Sequence, residues 1–149
     1  MYTGYYARHK HYLANELIPI SISAYPPRWI SDMKNYSLLS PGGFSVEQYK
    51  AGIATREESI KRFKEYLSKL DKKLVLRDLY LLAHDLPNDT KLHKLENSDF
   101  KDIILCCYEK PLDYCHRHIV AEWLSDTIKV EEYPFENYSK VPERKKKKM

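Results

Sequence analysis

Residues 103 to 108 read Ile-Ile-Leu-Cys-Cys-Tyr, an unbroken apolar run of strand length. A strand with one wet face alternates apolar and polar side chains. One without alternation has to be covered on both sides, as in a parallel sheet with helices packed on its faces. That single run sets the expectation for the rest of the chain, because parallel strands need helical crossovers between them.

The surrounding pattern supplies them. Strands are predicted at residues 1–5, 16–22, 103–108 and 128–133, with a short helix after the first. Pro19 inside the second strand suggests an edge position or an irregular start. Thr55 with Glu58 three residues on forms a capping box, and Ile60, Phe63, Leu67 and Leu70 then recur at helical spacing, which predicts a helix over residues 56–69. Asp71 can cap a second helix carrying Val75, Leu79 and Leu82 on one face and ending near His84, before Pro87. Asp113 can cap a third, running to about Ser125 with Ile119, Val120, Trp123 and Leu124 inward. The expected fold is therefore α/β: a single domain with a small, mostly parallel, Rossmann-like sheet of about four strands flanked by helices. It covers residues 1–140. A disordered Lys-rich tail at residues 141–149 follows.

Residues 23–43 hold Pro26, Pro27, Pro41, Gly42 and Gly43 but also Trp29, Ile30, Leu38 and Leu39. A long loop that packs apolar groups is often a lid over a site.

With 149 residues the chain is one domain in size and can bury a core without staples. Its 25 Lys and Arg stand against 21 Asp and Glu, and Arg144 to Lys148 alone supply five of the positive charges. The folded body is then near neutral, which does not favour a protein that tracks a long polyphosphate backbone. Three cysteines, two of them adjacent in an apolar run, do not read as a disulfide framework. The first residues, MYTGYYARHKHY, have no apolar leader core, and no apolar run approaches a membrane span. A cytoplasmic protein with no membrane contact is expected, and nothing in the sequence sets an oligomeric state. The 13 tyrosines against 4 phenylalanines suggest rings lining a half-wet surface.

In open α/β sheets ligands bind beyond the carboxyl ends of the strands. Cys107 and Glu109, two apart, project to one side if the strand continues. Asp113 as cap would put Cys115 and His116 in the first helical turn, so both groups approach one crevice. There the positive end of the helix dipole and Arg117 favour a thiolate at Cys115, which suits a nucleophile. Packing as a small buried hydrophobe is the competing fate of that cysteine. Glu109 or His116 would act as acid or base, and Arg117 with Lys110 would hold a phosphate or carboxylate. His9 and His11, near the end of the first strand, would reach the same crevice or lie in solvent. Cys107, Cys115, His116 and Glu109 also have zinc-compatible chemistry, but not the tight pair spacing of a structural zinc site, and no metal or cofactor is expected.

The segment Cys-Tyr-Glu-Lys-Pro-Leu-Asp-Tyr-Cys-His-Arg-His-Ile-Val-Ala-Glu-Trp-Leu, residues 107 to 124, resembles the signature of domain-of-unknown-function family 488, whose frame is Cys-x-Glu, five residues, then Cys-His-Arg. The likeness extends to the opening Tyr2-Thr3-Gly4-Tyr5 and to a strand after the signature helix, from Met1 to about Tyr133. Cys107, Glu109, Cys115, His116 and Arg117 match the frame. Many members carry an Asp and an Arg where this chain has Ser21 and Ser23, so a role needing that charged pair is not expected.

Two functions fit these residues. One is an enzyme acting on a small anionic or nucleotide-like substrate, with Cys115, Glu109, His116 and Cys107 in the chemistry and Arg117, Lys110, Thr3, Gly4, Tyr5 and Trp29 binding the ligand. The other is a non-catalytic nucleotide or nucleic-acid binding module that stacks bases on Tyr5, Tyr6, Tyr25 and Trp29.

Overall fold

A computed structural model describes residues 1–41, 55–108 and 116–139. Among them are five strands, β1 (Tyr2–Tyr5), β2 (Ile18–Ser21), β3 (Lys34–Asn35), β4 (Ile103–Cys107) and β5 (Glu131–Glu132), in one sheet of order β3-β2-β4-β1-β5. Every pairing is parallel. Four helices flank it: α1 (His9–Ala14), α2 (Arg56–Ser68), α3 (Lys72–Ala83) and α4 (His116–Leu124). The α/β fold with a parallel sheet is as expected.

The apolar run is where it should be. β4 lies between β2 and β1, and all five of its residues are fully buried. Its side chains alternate between two cores. Ile103 and Leu105 join Ile20, Ile22, Phe63, Leu67, Leu79, Val120 and Leu124 beneath α2, α3 and α4. Ile104 and Cys106 join Tyr6, Tyr12, Ile30 and Tyr133 on the side of α1. Truncating Leu105 would open a hole in the larger core and cost about 2–5 kcal/mol.

The two faces are covered by different means. Among the described residues three helices fill one, while the other has a single six-residue helix and a set of packed rings. Tyr6 and Tyr12 are therefore core residues, 1% and 0% exposed, and are not among the tyrosines that line a half-wet surface. Each phenol keeps a partner, as a buried hydroxyl must. Tyr6 bonds Ser21 and Ser23, and Tyr12 bonds Tyr138 and accepts from the Tyr5 N–H.

Helix starts follow the capping residues. The Thr55 hydroxyl accepts from the Glu58 N–H at 3.1 Å, and the Asp71 carboxylate accepts from Lys73 and Leu74 at 3.0 and 3.3 Å. β3 departs from expectation, since the stretch read as a long loop supplies an edge strand at Lys34–Asn35 and a fully buried Leu39. With β3 outside it, β2 is not an edge strand. Pro19 is tolerated there because Ile18 and Ile22 donate toward β4, so residue 19 faces the other way, and β3 pairs only from Ile20 onward. No ladder bond is lost. The last strand is shorter than expected. Thr127 and Ile128 still donate to the Leu124 carbonyl, closing the helix, and pairing begins only at Glu131. Gly42, Gly43, Asp113 and the 141–149 tail lie outside the described residues. Among those described, no helix is long and apolar enough to cross a membrane.

Candidate functional site

Parallel register brings the carboxyl ends of β1 and β4 level, with Tyr5 opposite Cys107 and Thr3 opposite Leu105. Residues two apart on a strand share a face. Thr3, Tyr5, Leu105 and Cys107 therefore all point toward α4, whose second residue is Arg117.

Among the described residues Arg117 is the largest fully buried side chain, at 0% exposure. A guanidinium cannot be taken out of water without a partner. It is held by Glu132, on β5 at the edge of the sheet. Nε donates to one carboxylate oxygen and Nη2 to the other, both at 3.0 Å, in a two-point fork. Thr3 adds a hydroxyl bond to the same carboxylate at 2.6 Å. The third nitrogen, Nη1, donates to the Cys107 sulfur at 3.0 Å. The Arg117 guanidinium is thus clamped on one side and presented to a sulfur on the other.

Cys107 is disulfide-bonded, while Cys106 is a buried free thiol. The sequence did not suggest a disulfide, because the two neighbours read as one apolar pair. On a strand they face opposite ways, and only Cys107 looks toward Arg117. The Cys106 thiol is pushed well above its ordinary pKa by burial, against a smaller opposing pull from Arg117.

His116 is 7% exposed and its Nε2 donates to the Ile22 carbonyl at 2.6 Å. Burial foremost, helped by the charges of Arg117 and His118, lowers its pKa to about 4 against the pull of that hydrogen bond. The ring is accordingly neutral at neutral pH, with Nε2 protonated.

The remaining predicted residues divide. Glu109, Lys110 and Cys115 lie outside the described residues. Thr3 and Tyr5 join the Cys107–Arg117 centre. Gly4 faces the other side, where a Cβ would stand 2.8 Å from both Tyr12 Cζ and Ile104 Cδ1. The glycine there makes room for Tyr12. Trp29 stands apart from Cys107, 59% exposed, its ring edge-on to His9 at 5.6 Å, in the wall of an open cavity of about 730 Å³ beside α1. His11 bonds the Tyr133 hydroxyl at 3.0 Å, on the α1 side of the sheet. Ser21 and Ser23 are bound to Tyr6 at 2.6 and 2.8 Å, and the Tyr6 ring meets Tyr108 edge-to-face at 4.7 Å. Among the described residues no three His, Cys, Asp or Glu side chains converge as a metal would require.

Two residues of this centre were not singled out from sequence. Glu132 sits in a two-residue strand beside a second glutamate, and the contacts with Arg117 and Thr3 distinguish it. Arg8 follows β1 in a 3-10 turn and lies over the Tyr138 ring at 5.1 Å.

Fold and site together define an α/β protein with a clamped arginine on a disulfide sulfur at the carboxyl ends of its central strands. Comparison with family models, with curated proteins and with solved structures gives no match to this chain.

Proposed function

We propose that this protein is an enzyme acting on a small anionic or nucleotide-like substrate through thiol chemistry at Cys107 and a second cysteine. The observation carrying the reading is the Arg117 Nη1 contact to the Cys107 sulfur, with the rest of the guanidinium locked by Glu132. A disulfide sulfur is a poor acceptor, whereas a thiolate is a strong one. The N–H therefore gains most when Cys107 carries the charge. Glu132 offsets much of the long-range field of Arg117, but the directed hydrogen bond at the sulfur remains.

Cys115, the nucleophile expected from sequence, is the proposed second cysteine. In this reading an incoming dithiol attacks the Cys115 sulfur as thiolate and forms a new S–S bond. The Cys107 sulfur leaves with the bonding electron pair, and Arg117 receives that charge. The second thiol of the reductant then displaces Cys115. A low-pKa leaving thiol speeds such exchange. Once reduced, Cys115 is the nucleophile toward substrate and Cys107 its partner. Arg117 then acts on the sulfur and not on the substrate anion. The likeness of residues 107–124 to family 488 is part of this proposal.

The test is a pH titration of thiolate absorbance on the reduced protein. One thiol should ionise below the free value of about 8.5. In Arg117→Lys that step should move upward, because a single ammonium cannot hold Glu132 at two points and reach Cys107 as well. If no thiol of the reduced wild type ionises below the free value, the proposal fails.

The second reading, a non-catalytic nucleotide or nucleic-acid binding module, is favoured by the exposed Trp29 ring and the adjacent Lys10 in the α1 cavity. Quenching of Trp29 fluorescence by a nucleoside monophosphate, lost in Trp29→Leu, would support it over the thiol site.

A further inference from the structure

We infer that Arg8 is the residue that recognises the anionic group of the substrate beside the Cys107–Arg117 centre. The inference rests on the anionic-substrate reading above and assigns it a residue.

Arg117 was the natural candidate from sequence, but its three nitrogens are directed at Glu132 and Cys107 inside the protein. A substrate anion needs a cation that water can reach. Arg8 is exposed and stands one turn beyond the carboxyl end of β1, the strand whose last residue pairs with Cys107.

Tyr5 connects the two arginines. The Arg117 guanidinium lies 5.9 Å from the Tyr5 ring centre, and the Arg8 Nε donates to the Tyr5 hydroxyl at 3.5 Å. Arg8 also rests over the Tyr138 ring at 5.1 Å. A bond at Nε and a ring beneath the guanidinium orient an otherwise flexible side chain, lowering the entropy lost on binding. The Nη1 and Nη2 donors are those that bind phosphate or carboxylate at two points. No carboxylate pairs with Arg8 among the described residues.

The placement also says what kind of anion fits. Arg8 meets the Tyr5 hydroxyl, while Arg117, which contacts the sulfur, faces the ring of the same residue, so a tyrosine and a second guanidinium lie between Arg8 and the sulfur. The charged group of the substrate must therefore be several bonds from the atom that meets sulfur, as in a nucleotide or a phosphorylated or carboxylated chain.

The experiment is an amide NMR titration of the full chain with pyrophosphate, and in a second arm with succinate, to separate phosphate from carboxylate preference. Expected are shifts at Tyr5 to Arg8 and at Cys107 and Tyr108, with affinity falling about three- to tenfold in Arg8→Ala and less in Arg8→Lys. Binding that is unchanged in Arg8→Ala, or shifts confined to other regions, overturns the inference, as does absence of binding by either anion. Arg8 is exposed, so the variants should fold, and their amide spectra report it directly. Thiolate titration of the reduced protein does not depend on Arg8, and anion binding does not require a reduced thiol. The two proposals can therefore fail separately.

Discussion

Replacing Glu132 with glutamine tests whether Arg117 depends on that one carboxylate. The guanidinium is fully buried, whereas the Glu132 side chain retains 26% exposure. Removing one partner of a fully buried pair costs roughly 3–5 kcal/mol, chiefly because the other charge is left uncompensated. Two features reduce that here: water reaches part of Glu132, and a glutamine oxygen still accepts one of the two Arg117 bonds. The expected loss is about 2–3 kcal/mol. With a urea slope of about 1.5–2 kcal/mol/M, the midpoint should fall by about 1–2 M at unchanged slope. Replacing both partners, Arg117→Met with Glu132→Leu, should recover most of the loss, since the penalty belongs to the unpaired charge and not to the missing contact. A midpoint shift below about 0.5 M for Glu132→Gln alone would mean that Arg117 is satisfied without Glu132, and the clamp argument would be wrong.

Other outcomes follow from the same structure. His116 has a folded pKa of about 4 against an unfolded value of about 6.5, so the unfolded chain binds more protons between them. Stability from this group is full above pH 6.5 and falls by about 3 kcal/mol on acidification to pH 4; urea midpoints across that range should lose this slope in His116→Asn, and an unaltered slope would count against it. Gly4→Ala should cost about 1–3 kcal/mol by pressing on the Tyr12 phenol and Ile104, measurable by thermal melting; a neutral effect would show that Tyr12 can shift freely. Tyr6→Phe removes the hydroxyl that ties Ser21 and Ser23 together and should cost about 1–2 kcal/mol. The Tyr6 phenol itself, pushed up to about 12 mainly by burial, should be missing from the ordinary tyrosine step near pH 10 in an ultraviolet titration.

The parts of the fold legible in sequence were those with a strong local signal. β4 declared itself by an apolar run that only a doubly covered strand can hold, and α2 and α3 by Thr55 and Asp71 followed by helical spacing. β3 had no such signal: Lys34 and Asn35 are polar and join the sheet through backbone bonds alone. Pro19 misled for a related reason, since a missing N–H matters only where a neighbour is waiting for it. At the site, the frame of Cys107, His116 and Arg117 was visible, but the partners that define their roles were not. Glu132 reaches Arg117 across a fold-level contact, and the burial that makes Arg117 an internal clamp and keeps His116 neutral comes from residues far away in the chain. Sequence spacing tells which groups can meet, whereas exposure decides whether they face a ligand or one another.

β1 is made early and used late. Its neighbours in the sheet are β4, about one hundred residues downstream, and β5, whose Glu132 bonds Thr3 across 129 residues. At roughly 5–20 residues per second, ribosomal synthesis leaves β1 unpaired for about 5–20 s. Its first possible local companion is α1, and the Tyr12 hydroxyl that accepts the Tyr5 N–H gives that pair an early, sequence-near contact. The helix that looks too short to cover a sheet face is thus also the element available to shelter a waiting strand.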